Sequence, residues 1–434
     1  NVEFNWSLAS LNGLEKITAL AGSLSILNND ALTDLSGLGN IKTIGGDLTI
    51  WSNANVPDLT GLGNITAIDR TLRLGGQGVF TDLNGLGKLS SVGNISIEYS
   101  GLTSLTGLNS LTTVAGEFYL SDNDSLTNLG GMPNIASIGS LWIQYNDGLL
   151  DLTGLENLTN IDGNVNIFRN PALASLNGLN NIGTVGGYLA IDGSALTKLD
   201  GLGQLTSTGD GLYISENPLL TDLSALNQLT SVGGSLGVRY NQVLPNLDGV
   251  DQLESIGGDL LVWFNDALTN FDGLDQVTAI GKGVRIQNNL LLTSLNGLNG
   301  MTRLDSGLAI VNNAALTSLS DLDQLVSVGN LAISQNAGLT NVNGLEQLTS
   351  IDGNLGLADN PVLTNLSGLK NVTAVKESLV ISGNTALSSL QDLQNIASAK
   401  RLSIGSNASL TNLNGLENLK CPFINILDND ALTE

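Results

Sequence analysis

The side chains best suited to chemistry in this chain are flat rings and guanidinium forks. Trp51, Arg73, Tyr119, Trp142, Tyr145, Phe168, Arg169, Tyr213, Arg239, Tyr240, Trp263, Phe264 and Arg285 all fall in or just after a short L-x-I segment. The chain holds only four Trp, six Tyr and seven Phe, so this placement gathers most of its rings. Rings stack on sugar faces or apolar protein surface, and an arginine fork matches a carboxylate or sulfate. The same residue types dominate the energetics of protein interfaces. The expected chemistry is recognition, and these thirteen residues are the candidate ligand-binding set. Strands also tolerate aromatics on either face for packing reasons alone. The bias to the first two-thirds of the chain, with Ala332, Gly356, Ala358 and Ser403 at later equivalents, favours recognition.

Catalysis finds little support. There is no histidine and a single cysteine, Cys421. That removes Ser/His/Asp and Cys/His machinery, imidazole metal sites and a thiolate zinc site within one chain. Forty Asp and Glu remain, but they sit mostly in turns, as at Asp30, Asp34, Asp222 and Asp266. The expectation is a non-enzyme with no cofactor. Calcium is the one ion left open, because Asp122-Asn123-Asp124 and Asp428-Asn429-Asp430 gather hard oxygen ligands without EF-hand spacing.

What must position the rings is a repeat. Leu348 to Leu369 reads L-x-x-I-x-G-x-L-x-I-x-x-N-x-x-L-T-x-L-x-G-L, with Leu357 in the second isoleucine place, and its last leucine recurs from Leu14 to Leu416 in eighteen units of 22 to 24 residues. A fixed period in that range means a solenoid whose coils bury their apolar faces against each other. Leu355 and Leu357 lie two apart, which is a strand with both side chains inward. The residue between them and the one after then point outward, and these are the places the rings occupy. Leucines spaced by three, such as Leu363, Leu366 and Leu369, suit 3₁₀ turns or flat bends. The expected fold is an all-β repeat protein, a parallel β-solenoid of about eighteen coils with one clear strand per coil.

Asparagine closes each strand, from Asn29 and Asn53 to Asn407 and Asn429, and should form a buried amide ladder. Gly257, Gly353 and their equivalents are expected at bends needing positive φ. A threonine column runs through Thr33, Thr81, Thr103, Thr127, Thr197, Thr221, Thr269, Thr293, Thr317, Thr340, Thr364 and Thr411. Gln77 stands in the asparagine position of one coil, and the coil at Tyr99 to Leu102 lacks the asparagine.

The Leu355, Leu357, Asn360 pattern resembles the leucine-rich repeat family, whose core is L-x-x-L-x-L-x-x-N. The I-x-G-x-L-x-I-x-x-N form is similar to the related receptor L domain. The resemblance covers essentially the whole chain. It implies a right-handed parallel solenoid used for binding or scaffolding. The cysteine-rich end caps common in extracellular animal and plant members are missing, which points to a bacterial surface protein.

Residues 1–10 are expected to be an edge or cap that meets the repeat only at Leu8, with Phe4 and Trp6 covering the first coil; residues 11–434 form one continuous array. Both ends look cut, so the chain reads as a fragment of a larger protein. The formal charge of −24 argues against nucleic acid and against an anionic membrane surface as partners. No apolar run is long enough to span a bilayer. The expected role is an extracellular, cell-surface spacer with an adhesive face that takes a glycan, a protein, or further copies of itself in a filament. Ice binding through the threonine column is the third reading.

Overall fold

Each repeat closes as one coil because its apolar residues all turn to one axis. In the coil from Leu348 to Leu369, Leu348, Ile351, Leu355, Leu357, Leu363, Leu366 and Leu369 are all 0% exposed. The computed structural model describes residues 1–76 and 80–433. It is a parallel β-solenoid of about eighteen coils, nearly all strand and turn. By its contacts the chain divides into two units, Asn1–Asp210 and Gly211–Glu434.

In the first unit the main strands stack in parallel from Val2–Glu3 and Leu24–Leu27 through Leu48–Trp51 to Val165–Phe168 and Leu189–Asp192. In the second they run from Leu212–Ser215 through Leu260–Trp263 to Arg401–Gly405 and Phe423–Leu427. The core positions stay in register: the first inward residue of a strand pairs with the first and the second with the second, as in Leu331↔Leu355 and Ile333↔Leu357. A one-residue slip would turn every core side chain outward.

The coil has more strand than the sequence suggested. A second, two-residue strand precedes the main one in many coils, as in Asn160–Ile161, Thr184–Val185 and Ser207–Thr208. Its second residue (Ile161, Val185 or Thr208 in these coils) is buried and pairs with its equivalents, but two residues are too short to show an alternation. The three-residue spacing does become 3₁₀ turns, at Ser36–Leu38, Thr60–Leu62, Ser224–Leu226, Ser320–Leu322, Ser367–Leu369 and Gln391–Leu393. Ala225, Asp321 and Asp392 replace the turn glycine only in coils of this form. Coils with the other turn form keep glycine at positive φ, for example Gly154 at +118° and Gly249 at +113°.

The expectation for Gly257 and Gly353 is corrected. Neither has a positive φ. A Cβ on Gly257 would lie 2.1 Å from the Gly233 carbonyl oxygen, and one on Gly353 would lie 2.3 Å from Asn330 Oδ1. Glycine is needed there because neighbouring coils come too close for a side chain.

The asparagine ladder is present and buried. Asn265 Nδ2 donates to the carbonyl of Val238 at 2.9 Å, while the Asn265 amide N–H donates to Asn289 Oδ1 at 3.1 Å. In the coil at Tyr99 to Leu102, Ser100 substitutes: its hydroxyl donates to Asn123 Oδ1 at 2.5 Å. Gln77 lies outside the described residues. The first residues also take part. Val2–Glu3 pairs with Ile26 and Leu27, and the Asn5 amide donates to Asn29 Oδ1 at 3.1 Å, so contact with the repeat is not confined to Leu8. Phe4 and Trp6 are both exposed, with ring centroids 6.1 Å apart.

Three further ladders hold the outer turns. Thr33, Thr293 and Thr364 each donate the side-chain hydroxyl to a carbonyl one coil back, at 3.1 to 3.2 Å. Thr66, Thr112 and Thr373 do the same in another column. Asn64, Asn157 and Asn371 donate Nδ2 to carbonyls of the preceding coil at 2.5 to 2.7 Å. Within the threonine column Thr33, Thr103, Thr269, Thr293, Thr340 and Thr364 are thus bound into the backbone through their hydroxyl protons.

The residue before each ladder asparagine takes the left-handed conformation. Sixteen non-glycine residues do so at φ between 51 and 59°, and Gly76, Gly193 and Gly383 fill the same place in other coils. The amide N–H there bonds the next coil, as Gln335 does to the Ala358 carbonyl at 2.9 Å. Left-handed backbone costs an ordinary L-residue about 1–2 kcal/mol and suits Asn or Gly better. Gln335 is exposed and its side chain makes no hydrogen bond to a described residue. Replacing it with Asn should raise the unfolding free energy, by up to about 1 kcal/mol. Chemical denaturation of the two proteins checks this; a lower midpoint would count against the strain.

Candidate functional site

Trp51, Tyr119, Trp142, Phe168, Tyr213 and Trp263 lie on the outward face of the main strands, where period two places them, and Tyr145, Tyr240 and Phe264 follow the strands in the left-handed position. The conformation and neighbours of each are set by the coil before and after it. In the first unit Trp51 lies over Gly75 and Gly76, where an added Cβ would come within 2.9 Å and 2.6 Å of its ring. The Arg73 guanidinium sits 4.5 Å from the Trp51 ring centroid and reaches Glu98 Oε1 at 3.3 Å. Glu98 also accepts the Ser96 hydroxyl at 2.6 Å. Arg73 is therefore sandwiched between a ring and a carboxylate.

Further along that unit, Tyr119 and Trp142 are register partners. The Tyr119 phenol oxygen accepts Gln144 Nε2 at 2.5 Å. Trp142 meets the Tyr188 ring edge-on at 6.2 Å. Its Nε1 is buried with no hydrogen-bond partner among the described residues. Tyr145 and Phe168 pack edge to face at 5.4 Å, and the Arg169 guanidinium lies 5.2 Å from the Phe168 centroid. Tyr99 stands exposed on the same face, and the neighbouring Asp122 carboxylate pushes its phenol above the usual tyrosine range.

In the second unit Arg239 lies between two rings, 5.7 Å from Tyr213 and 5.5 Å from Trp263. Its Nε donates to the Ser215 hydroxyl at 3.3 Å. Tyr213 covers Gly237, where a Cβ would come within 2.8 Å of the ring. Tyr240 and Phe264 stack at 4.7 Å with only 6° between their planes. Arg285 stands apart, with no ring against its guanidinium among the described residues; it is the register partner of Leu261 and Ala309.

The arrangement brings the predicted residues together in clusters: Trp51 with Arg73, Tyr119 with Trp142, Tyr145 with Phe168 and Arg169, Tyr213 with Arg239 and Trp263, and Tyr240 with Phe264. Glu98, Gln144 and Ser215 hold three of these side chains and were not singled out from sequence. They occupy the same outward column as Trp51, so the repeat alignment carries the signal, but which ring each supports depends on side-chain reach across coils.

Cation-binding groups are sparse. Among the described residues no group of three or more His, Cys, Asp or Glu gathers as metal ligands. In Asp122-Asn123-Asp124 the asparagine oxygen is engaged by Ser100 within the ladder, which leaves only the flanking carboxylates to face outward. Cys421 is half-buried, its thiol directed to the Phe423 carbonyl at 3.1 Å. Among the described residues no helix is long and apolar enough to cross a membrane.

Strand, asparagine ladder and turn together define the class: a parallel β-solenoid with an aromatic and arginine strand face. No family model and no curated protein matches the chain. Among solved structures it is similar to TLR13 in its complex with ssRNA13, at 17% identity over 98% of this chain and 76% of that one, with a TM-score of 0.36. It is also similar to the functional domain of InlJ from Listeria monocytogenes, which includes a cysteine ladder, at 17% identity over 88% of this chain and 73% of that one, with a TM-score of 0.29.

Proposed function

We propose that this chain is a non-enzymatic ligand-binding repeat module. Its strand face holds a glycan or protein at a cell surface, and its laddered core acts as a rigid spacer within a larger surface protein. The observation that carries the reading is the conformation of Tyr145, Tyr240 and Phe264. They are 40%, 39% and 37% exposed, and each sits in the left-handed position that Asn, Asp, Ser, Gly, Glu, Gln or Arg fills in other coils. A bulky ring there gains little burial and is held in unfavourable backbone. The coil imposes this conformation whatever the residue, and a ring placed there is held outward, where it is available for contact. The acidic balance supports the surface setting, since it limits nonspecific association. The lack of histidine, with one half-buried thiol, supports the non-enzymatic role. The ice-binding reading loses ground because the threonine hydroxyls donate to backbone carbonyls.

The test is a glycan array probed with the whole chain and with a variant carrying Trp142, Tyr145, Tyr240 and Trp263 changed to Ser, with the mass of both taken by light scattering. The parent should bind and the variant should lose binding by at least about a hundredfold, since each well-placed ring is worth about 0.5–1.5 kcal/mol beyond its buried area. Equal binding by both proteins removes the strip from the reading. Self-association of the parent alone, with no glycan bound, makes the face a contact between copies and overturns adhesion.

A further inference from the structure

Arg285 differs from the other arginines of the strand face. Arg73 meets Trp51 and Glu98, Arg169 lies against Phe168, and Arg239 sits between two rings. Arg285 is exposed and has no ion pair, ring contact or side-chain hydrogen bond to any described residue. Of these four arginines, Arg285 alone has neither a ring nor a carboxylate against its guanidinium among the described residues.

It stands on the wall of an open depression of about 360 Å³, formed with Leu261, Asp259, Ser306 and Ala309 among others. The depression has a structural cause. The pairing of Arg303–Val311 with Ser327–Ser334 shifts between Leu304 and Gly307, and Gly307 has φ +139°. A Cβ on Gly283 would lie 2.6 Å from the Gly307 carbonyl oxygen, so the backbone is recessed where two glycines meet. Bulges recur where a fold re-aims side chains for function.

The polar groups around it are complementary to one chemistry. Asp259 Oδ1 accepts the Gly283 amide at 3.0 Å, which leaves Oδ2 to accept a hydroxyl. The Ser306 hydroxyl has no partner among the described residues. Trp263 faces outward on the same strand as Leu261, about 7 Å along it. We propose that this depression is a subsite for a carboxylate-bearing sugar. Arg285 pairs with the carboxylate through its planar fork. Asp259 and Ser306 take ring hydroxyls, and the next sugar of the chain reaches the Trp263 indole. The proposal deepens the binding reading above and rests on it.

The experiment is calorimetric titration of the whole chain with a linear galactose tetramer in which one residue is galacturonic acid, the acidic tetramer, and with the matching neutral galactose tetramer. The variants are Arg285→Gln, Trp263→Ser and, as a charge control, Arg303→Gln. The acidic tetramer should bind the parent at least about tenfold tighter than the neutral one, the worth of one charge-assisted hydrogen-bonded pair. Arg285→Gln should erase that preference and keep the neutral affinity. Arg303→Gln, whose guanidinium is paired with Asp305, should leave both unchanged. Equal affinities in the parent, a preference that survives Arg285→Gln, or no binding of either tetramer overturns the subsite. In the first two cases, weaker binding by Trp263→Ser would still uphold the strip, so failure of the subsite is separable from failure of the wider reading.

Discussion

Replacing Asn265 with leucine is expected to destabilise the Gly211–Glu434 unit by about 2–6 kcal/mol, although leucine branches as asparagine does and is more apolar. The side chain is 0% exposed and works in both directions. Its Oδ1 accepts the Asn241 amide at 3.0 Å, and its Nδ2 donates to the Val238 and Trp263 carbonyls at 2.9 and 3.3 Å. Leucine would take these bonds from the Asn241 amide and the Val238 carbonyl in a place water does not reach, while the Trp263 carbonyl still accepts the Tyr240 amide at 3.1 Å. Each buried group left unsatisfied costs about 1–3 kcal/mol, which sets the range. Asn429 provides the comparison. It makes the same kind of bonds, to Ile404 at 3.1 Å and Leu427 at 2.9 Å, but it is only part-buried. There water replaces the lost amide, and the same substitution should cost under about 1.5 kcal/mol. Denaturant unfolding of the two variants decides the matter. A loss at Asn265 no larger than that at Asn429 would mean that the ladder only follows the coils and does not hold them.

How much of this could be read beforehand depends on whether one residue type repeats. The ladder asparagine is visible because only an amide offers a donor and an acceptor in that geometry, so the coils write Asn almost every time. The outward columns are visible because strands alternate strictly, which is why Trp51, Trp142 and Trp263 were placed correctly. The left-handed position was missed because its occupants share no type: Ser52, Asp122, Arg169, Glu216, Tyr240 and Gln335 all adopt it. There the backbone bonds to the next coil impose the conformation and the side chain merely tolerates it. The site was legible to the same extent. Columns put Tyr213, Arg239 and Trp263 on one face, but only side-chain reach across three coils shows the guanidinium held between the rings. The distinctive features of Arg285 are an absent carboxylate and a bulge one coil away, and neither is written at residue 285 itself.

Gly257 carries the second large effect, and it separates two reasons for a glycine. A position needing positive φ would accept asparagine with little loss. Gly257 does not have that conformation, and what forbids a side chain is the Gly233 carbonyl, 2.1 Å from where its Cβ would be. Gly281 repeats the arrangement against Gly257 at the same 2.1 Å. Valine at 257 must therefore push neighbouring coils apart. That strains the Gly257 amide bond to the Val232 carbonyl at 2.8 Å and the Gly281 amide bond to Ile256 at 2.8 Å. It also disturbs the short-strand pairing of Ile256 with Val232 and Ile280. Overpacking alone costs about 1–3 kcal/mol, and displaced backbone bonds add to it, so Gly257→Val should lose at least about 3 kcal/mol. Gly257→Asn should fare nearly as badly, because its Cβ meets the same oxygen. Gly203→Ala is the control: nothing lies within 4 Å of its Cβ and its φ is not positive, so it should gain up to about 1 kcal/mol through the unfolded chain. Unfolding midpoints for the three variants give the answer. If Gly257→Asn is tolerated while Gly257→Val is not, the limit is side-chain bulk rather than the approach of the coils, and these glycines do not set the coil spacing.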